Sequence, residues 1–261
     1  LSDLTMRPDG EIVGVMSVFS KVKGTGTSYD NRLVVSKDDA ETFEDLGGEI
    51  DASLLIESVE TADSDPDRIY ITALRGEGDE RRAVFLTSSN KGLSWSEIDL
   101  NLVKGETGAF IARVDPKNRD RVYVRTNGLV DAPSRLLVTD DGGKSWTKIY
   151  DAKTPLLGFA LSNDGSRVFV GSGDGVASAS IGKDIARDIA FRKGMAADIR
   201  CLGVDGAAWP CATSALARLD AWRSSIPPCF GGRIAEHAAE LTAMTKTARE
   251  RALMPGPPSN R

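Results

Sequence analysis

The sequence is poor in the residues on which most chemistry depends. Its 261 residues hold one histidine, His237, and three cysteines, Cys201, Cys211 and Cys229. With a single late histidine and no G-x-S-x-G turn, no Ser–His or Cys–His nucleophilic set can be assembled. No CxxC pair occurs, so a zinc site lacks its ligands, and the spacing of an EF-hand calcium loop is missing too. The stretch Gly171-Ser172-Gly173-Asp174-Gly175 is rich in glycine, but it joins strand to strand, whereas a phosphate cradle opens a helix. No metal and no cofactor is therefore expected. No apolar run approaches the roughly 18 residues that span a bilayer. Neither charge sign dominates: 33 basic against 38 acidic residues leave a net charge of -5. That balance provides no basic face for nucleic acid. Three cysteines admit at most one internal pair. Cys201 and Cys211 flank an Asp205-Gly206 turn, which leaves a disulfide between them and two reduced thiols as equal readings.

What is present is a repeat. Three segments share the pattern hydroxyl, any, Asp or Asn, any, Gly or Ala, any, hydroxyl, aromatic. The first carries Ser36, Asp38, Ala40, Thr42 and Phe43. The second carries Ser88, Asn90, Gly92, Ser94 and Trp95, and the third Thr139, Asp141, Gly143, Ser145 and Trp146. Their first residues stand at 36, 88 and 139, two nearly equal steps. A second motif runs in step with it: Asp65-Pro66-Asp67-Arg68-Ile69-Tyr70-Ile71 returns as Asp115-Pro116 leading to Arg121-Val122-Tyr123-Val124, with related runs at Arg7-Pro8-Asp9-Gly10 and Asn163-Asp164-Gly165. Each is a polar turn entering an alternating β-branched and aromatic strand. In the best copy the third strand is expected at Arg135–Val138 and the fourth at Trp146–Tyr150.

Four antiparallel strands in a unit of about 50 residues read as one blade of a β-propeller. The units fall at about 1–50, 51–101, 102–150 and 151–200. The last has no copy of the eight-residue pattern.

The pattern resembles the Asp box (BNR repeat) of sialidases, sortilin-type receptors, some xyloglucan-cleaving hydrolases and a photosystem II assembly factor. The resemblance covers residues 1–200. It implies that the box is a hairpin turn between the third and fourth strands of a blade. The physical chemistry agrees: an Asp or Asn side chain accepts turn N–H groups, and glycine supplies a positive φ. Ala40 at the glycine position suggests a relaxed or altered turn in the first blade. The aromatic is expected to pack between blades.

After residue 200 the pattern weakens. Asp198–Leu202 and Ala208–Cys211 suit the first hairpin of a fifth blade. An Ala- and Arg-rich tail follows, with a helix expected at 233–254. Two readings of the tail stay open: a helix that docks on the blades or binds a partner, or a stretch outside the selected frame. Asp-box propellers usually close with six or more blades, so the chain reads as part of a larger ring or, alternatively, as blades that pair with another chain.

Two functional readings follow. The first is a non-catalytic binding or scaffold propeller outside the cytoplasm, taking an unidentified protein or carbohydrate ligand on its loops. The loops concerned are Lys21–Asn31, Leu74–Arg82 and Asn127–Ser134. The second is a sialidase-like or other glycoside hydrolase with part of its site elsewhere. A sialidase grips a carboxylate with three arginines, but no Arg-Ile-Pro or Arg-Leu-Pro occurs. The sequence does not assemble Arg75, Arg81, Arg82, Arg113 and Arg125 into such a triad. A glycosidase pair of carboxylates cannot be picked from 38 acidic residues.

Overall fold

A computed structural model describes residues 1–21, 27–128, 133–182, 184–185, 189–194, 196, 199, 201–205 and 209–213. The chain divides into two units, Leu1–Ala217 and Arg218–Arg261. The second unit lies outside the described residues, and with it Cys229, His237 and the helix expected at 233–254.

Four antiparallel sheets of four strands follow one another. The first holds β1 (Asp3–Met6), β2 (Ile12–Lys21), β3 (Thr27–Ser36) and β4 (Glu44–Leu46). The second holds β5 (Leu54–Ala62), β6 (Asp65–Arg75), β7 (Arg82–Ser88) and β8 (Ser96–Asp99). The third holds β9 (Glu106–Asp115), β10 (Asn118–Gly128), β11 (Ser134–Thr139) and β12 (Thr147–Ala152). The fourth holds β13 (Gly158–Leu161), β14 (Arg167–Ser172), β15 (Gly175–Ser180) and β16 (Arg192–Lys193). In every sheet the spatial order is the chain order. A two-stranded pair, β17 (Cys201–Asp205) and β18 (Trp209–Thr213), comes after. Among the described residues a 3-10 turn at Gly78–Glu80 is nearly the whole helical content. These meanders are blades of a β-propeller, and their first strands lie side by side: β1 against β5, β5 against β9, β9 against β13, β13 against β17.

Packing explains why the central strands read as almost unbroken apolar runs. Side chains alternate between the two faces of a sheet, and here both faces are covered. From β6, Ile69, Ile71 and Ala73 pack toward the first sheet, while Tyr70 and Leu74 pack toward the third. From β7, Val84 and Leu86 go back and Ala83 and Phe85 go forward. A sheet buried on both sides needs apolar residues at consecutive positions.

The first strand of each blade pairs along one edge only, which leaves backbone N–H groups to be satisfied. The preceding blade supplies acceptors. Asp3 Oδ2 accepts the Val59 N–H at 2.9 Å, and Ser58 Oγ accepts the Ile111 N–H at 2.9 Å. The two bonds are equivalent in the repeat.

In the β17–β18 pair, Cys201 stands opposite Thr213 and Cys211 opposite Gly203. The hairpin register thus offsets the two cysteines by two residues.

Candidate functional site

The three eight-residue motifs sit at equivalent places, the turns β3–β4, β7–β8 and β11–β12. In the third, Asp141 Oδ1 accepts the Thr139 hydroxyl at 2.7 Å and the Ser145 N–H at 2.9 Å. Its Oδ2 accepts the Ser145 hydroxyl at 2.6 Å, and Thr139 Oγ1 accepts the Gly143 N–H at 2.9 Å. In the first, Asp38 Oδ1 accepts the Ser36 hydroxyl at 2.8 Å and the Thr42 N–H at 2.9 Å, and Ser36 accepts the Ala40 N–H at 3.0 Å. In the second, Asn90 Oδ1 accepts the Ser88 hydroxyl and the Ser94 N–H, while its Nδ2 donates to Ser94 Oγ at 2.9 Å. The amide thus reverses one bond and keeps the turn.

Two consecutive residues of each turn have positive φ: Asp39 and Ala40, Lys91 and Gly92, Gly142 and Gly143. Ala40, at φ 68°, takes the left-handed conformation of Gly92 and keeps the hydrogen bond from its N–H. The turn expected to be relaxed or altered there keeps the conformation and the bonds of the other two, and the bonds around Ser36 and Asp38 hold alanine in a conformation it disfavours.

These carboxylates are occupied. The Thr42 hydroxyl and N–H, with Ser36, hold Asp38 down at about 2. Asp141 lies below the ordinary range although burial opposes the shift, because Ser145 and Thr139 outweigh it. Of the aromatics, Trp95 packs into the core between the first and second sheets. Trp146 packs into that between the second and third, where its ring meets Phe85 edge-on at 4.9 Å. Phe43 is exposed.

The arginines considered for a carboxylate-gripping triad are dispersed and largely engaged. Arg75 holds Glu97 at 2.6 Å and Asp51 at 2.9 Å. Arg82 pairs with Asp99 at 3.4 Å, and Arg113 with Asp63 at 3.1 Å. Arg125 donates to the carbonyls of Leu156 and Leu157. Arg81 is exposed.

Sequence reasoning missed a set of carboxylates on the first strands. Glu57 sits at a bulge in β5: Ile56 pairs with Ala73 and Ser58 with Thr72, so Glu57 is the extra residue. Its Oε2 accepts the Ala109 N–H at 2.9 Å. Glycine at 108 makes room, since a β-carbon there would meet Glu57 Oε1 at 2.6 Å. Burial pushes the Glu57 carboxyl up to about 7, against the pull of that N–H and of Arg81. Three residues on, Glu60 Oε2 accepts the Thr5 hydroxyl at 2.7 Å and lies 3.9 Å from Arg113. Burial pushes Glu60 up to about 7 too; Arg113 and Thr5 oppose the shift, and Asp3 and Asp63 add to it. Nothing in the sequence distinguishes these two from other acidic residues except their place on a first strand.

A cleft of about 450 Å³ opens between the first and second sheets. Thr27 and Tyr29 of β3 form one wall. Ser53, Leu55, Leu74 and the Gly76–Arg81 turn form the other. Glu77 accepts the N–H of Thr27 at 3.1 Å and its hydroxyl, which ties the two walls together. Phe19 stands edge-on to Tyr29 with ring centroids 6.0 Å apart, and Phe19 is exposed. Thr27 and Tyr29 from one of the segments expected to carry recognition and Gly76, Glu77, Gly78 and Arg81 from another thus meet at one cleft, which offers an aromatic ring, a carboxylate, a guanidinium and hydroxyls.

No protein-family model matches the chain, and no curated protein matches its sequence. Solved structures do resemble it. An α-L-arabinanase of Penicillium chrysogenum, complexed with arabinobiose, superposes with a TM-score of 0.51 at 10% identity, over 81% of this chain and 74% of that one. A Dyadobacter fermentans protein of unknown function gives 0.46 at 15% identity, over 74% of this chain. A GH74 xyloglucanase of Xanthomonas campestris gives 0.42 at 13%, over 76%. The chain spans 64% of the Dyadobacter protein's length and 33% of the xyloglucanase's. At these identities the likeness speaks to the β-propeller fold alone. No helix among the described residues is long and apolar enough to cross a membrane.

Proposed function

We propose that the chain is a non-catalytic propeller of the Asp-box type, acting outside the cytoplasm, which binds a polar ligand in the cleft between its first two sheets. The observation that carries this reading is the lining of the cleft: Tyr29 of β3 in one blade stands opposite Ser53, Glu77 and Arg81 of the next. Such a mix suits a carbohydrate or a polar peptide loop, with a ring to lie against and charges to fix orientation. The box residues support a scaffolding role, since their oxygens are spent on their own turns. The arginines support it against a sialidase: four of the five are engaged within the fold.

The test is isothermal titration against neutral and uronic-acid-containing oligosaccharides, with Arg81→Ala and Tyr29→Ala alongside the parent. Binding weakened about tenfold or more in either variant supports the site. Unchanged binding in both places the ligand elsewhere.

A second reading, a glycoside hydrolase, is favoured by one observation: Glu57 and Glu60 are both pushed up to about 7, where a carboxyl can donate a proton at neutral pH. Release of nitrophenol from aryl glycosides, abolished by Glu57→Gln or Glu60→Gln, would replace the binding reading with this one.

A further inference from the structure

Most of the polar groups that line the cleft between the first two sheets are already engaged. Ser53 Oγ donates to Asp51 at 2.8 Å and accepts from Arg75 at 2.7 Å. Glu77 Oε1 accepts both the N–H and the hydroxyl of Thr27. The main chain is engaged too. The Tyr29 N–H reaches the Ala52 carbonyl at 2.8 Å, and those of Glu80 and Arg81 close their turn onto the carbonyls of Glu77 and Gly78. A peptide that adds itself as a strand needs unpaired main-chain groups, and these N–H groups offer it none.

What the walls leave over is a short set. Among the described residues the Arg81 guanidinium, the Tyr29 hydroxyl and Glu77 Oε2 have no hydrogen-bond or ion-pair partner. Glu77 and Arg81 flank the Gly78–Glu80 turn, and the field of the guanidinium reaches the carboxylate. The bonds from Thr27 hold that carboxyl below its ordinary range, so it stays ionised. The rings complete the set. Phe19 alternates along β2 with Val13 and Val15, which pack against the second sheet, so it is turned to the same side. It is 60% exposed and stands edge-on to Tyr29.

Each of these groups asks for a different partner. The guanidinium fork suits a planar carboxylate. An ionised carboxylate oxygen only accepts, so it calls for a hydroxyl. The rings call for a flat apolar face. A neutral sugar would leave the charge of Arg81 unused, and a bare carboxylate would meet Glu77 with like charge. We infer that the cleft takes a uronic-acid ring of a glycan, with its carboxylate on Arg81, a hydroxyl on Glu77 Oε2 and one ring face against Tyr29 and Phe19. This assignment rests on the binding role proposed for the cleft.

Titration calorimetry on the full chain tests it with three probes: a uronic-acid disaccharide, its methyl ester and the neutral disaccharide of the same linkage. The acid binds at least about tenfold more tightly than the other two. Arg81→Gln removes that preference and leaves the affinity for the ester unchanged. Phe19→Ala weakens all three by a similar factor, about threefold or more. Both side chains are exposed, so the variants keep the parent's circular dichroism. If the ester and the neutral sugar bind as tightly as the acid, and Tyr29→Ala still weakens them, the acidic ligand is overturned and the cleft remains the binding site. A short peptide of Glu and Ser that binds more tightly than the acid overturns the sugar. Binding indifferent to Tyr29→Ala, or no binding of any probe, removes the site and its ligand together.

Discussion

Gly143 in the third sheet closes against the ring of Phe85 in the second: a β-carbon at 143 would stand 2.6 Å from two ring carbons, and its φ is 100°. The glycine therefore serves two ends, a left-handed turn and a close approach between blades. Gly143→Ala should cost about 3 kcal/mol in urea denaturation, combining strain and overpacking. Ala40 has no such constraint and already carries the left-handed strain. Ala40→Gly should stabilise by roughly 0.5 kcal/mol, the relief of strain exceeding the entropy added to the unfolded chain.

The amide at Asn90 reproduces the turn made by Asp141, so the acceptor oxygen matters more than the charge. Asp141→Asn should change stability by less than about 0.5 kcal/mol, while Asp141→Ala should cost about 1 kcal/mol by orphaning turn donors. Equal losses in the two variants would contradict this account.

Glu106 and Arg135 form one of the two most enclosed ion pairs described, at 2.6 Å with side-chain exposures of 2% and 16%. Thr126 and the Val103 N–H also bond Glu106, and with Arg135 they hold its carboxyl below the ordinary range against the effect of burial. Removing one partner leaves a buried charge. Arg135→Met should cost about 3 kcal/mol, and the double variant Glu106→Gln/Arg135→Met distinctly less. A thermodynamic cycle over the four proteins measures the coupling.

The raised carboxyls give a pH dependence of definite sign. Glu57 and Glu60 ionise near 4.5 when unfolded and near 7 when folded. Between those values the folded state holds more protons, so their contribution to stability is full below about 4.5 and declines as pH rises to about 7. Melting temperature measured from pH 5 to pH 8 should therefore fall less in Glu60→Gln than in the parent. The turn aspartates act in the opposite sense: what Asp38 contributes is present above its unfolded value and is lost as pH falls toward about 2.

The sequence revealed strands and turns because both are local. Turn residues and alternation place the third sheet's β11 and β12 within a residue or two of Arg135–Val138 and Trp146–Tyr150, although Trp146 belongs to the turn and the strand opens at Thr147. What escaped it is pairing across blades. Arg113 finds Asp63, Tyr70 donates to the carbonyl of Arg119, and Asp3 reaches the Val59 N–H, all some 50 positions apart. Glu57 escaped for another reason, since a bulge changes the direction of one side chain without altering the composition of the strand around it. The cleft depends on a strand of one blade and a turn of the next, which only the stacking of blades brings together.

The backward lean of the turn aromatics has a consequence for synthesis. Trp95 packs toward the sheet before it, and Trp146 meets Phe85 of the sheet before it. A chain leaving the ribosome from its amino end therefore meets, at each new blade, a surface that has already been made. Growth proceeds by templating, with the newest sheet closing on its elder and the apolar face left waiting at any moment confined to one blade.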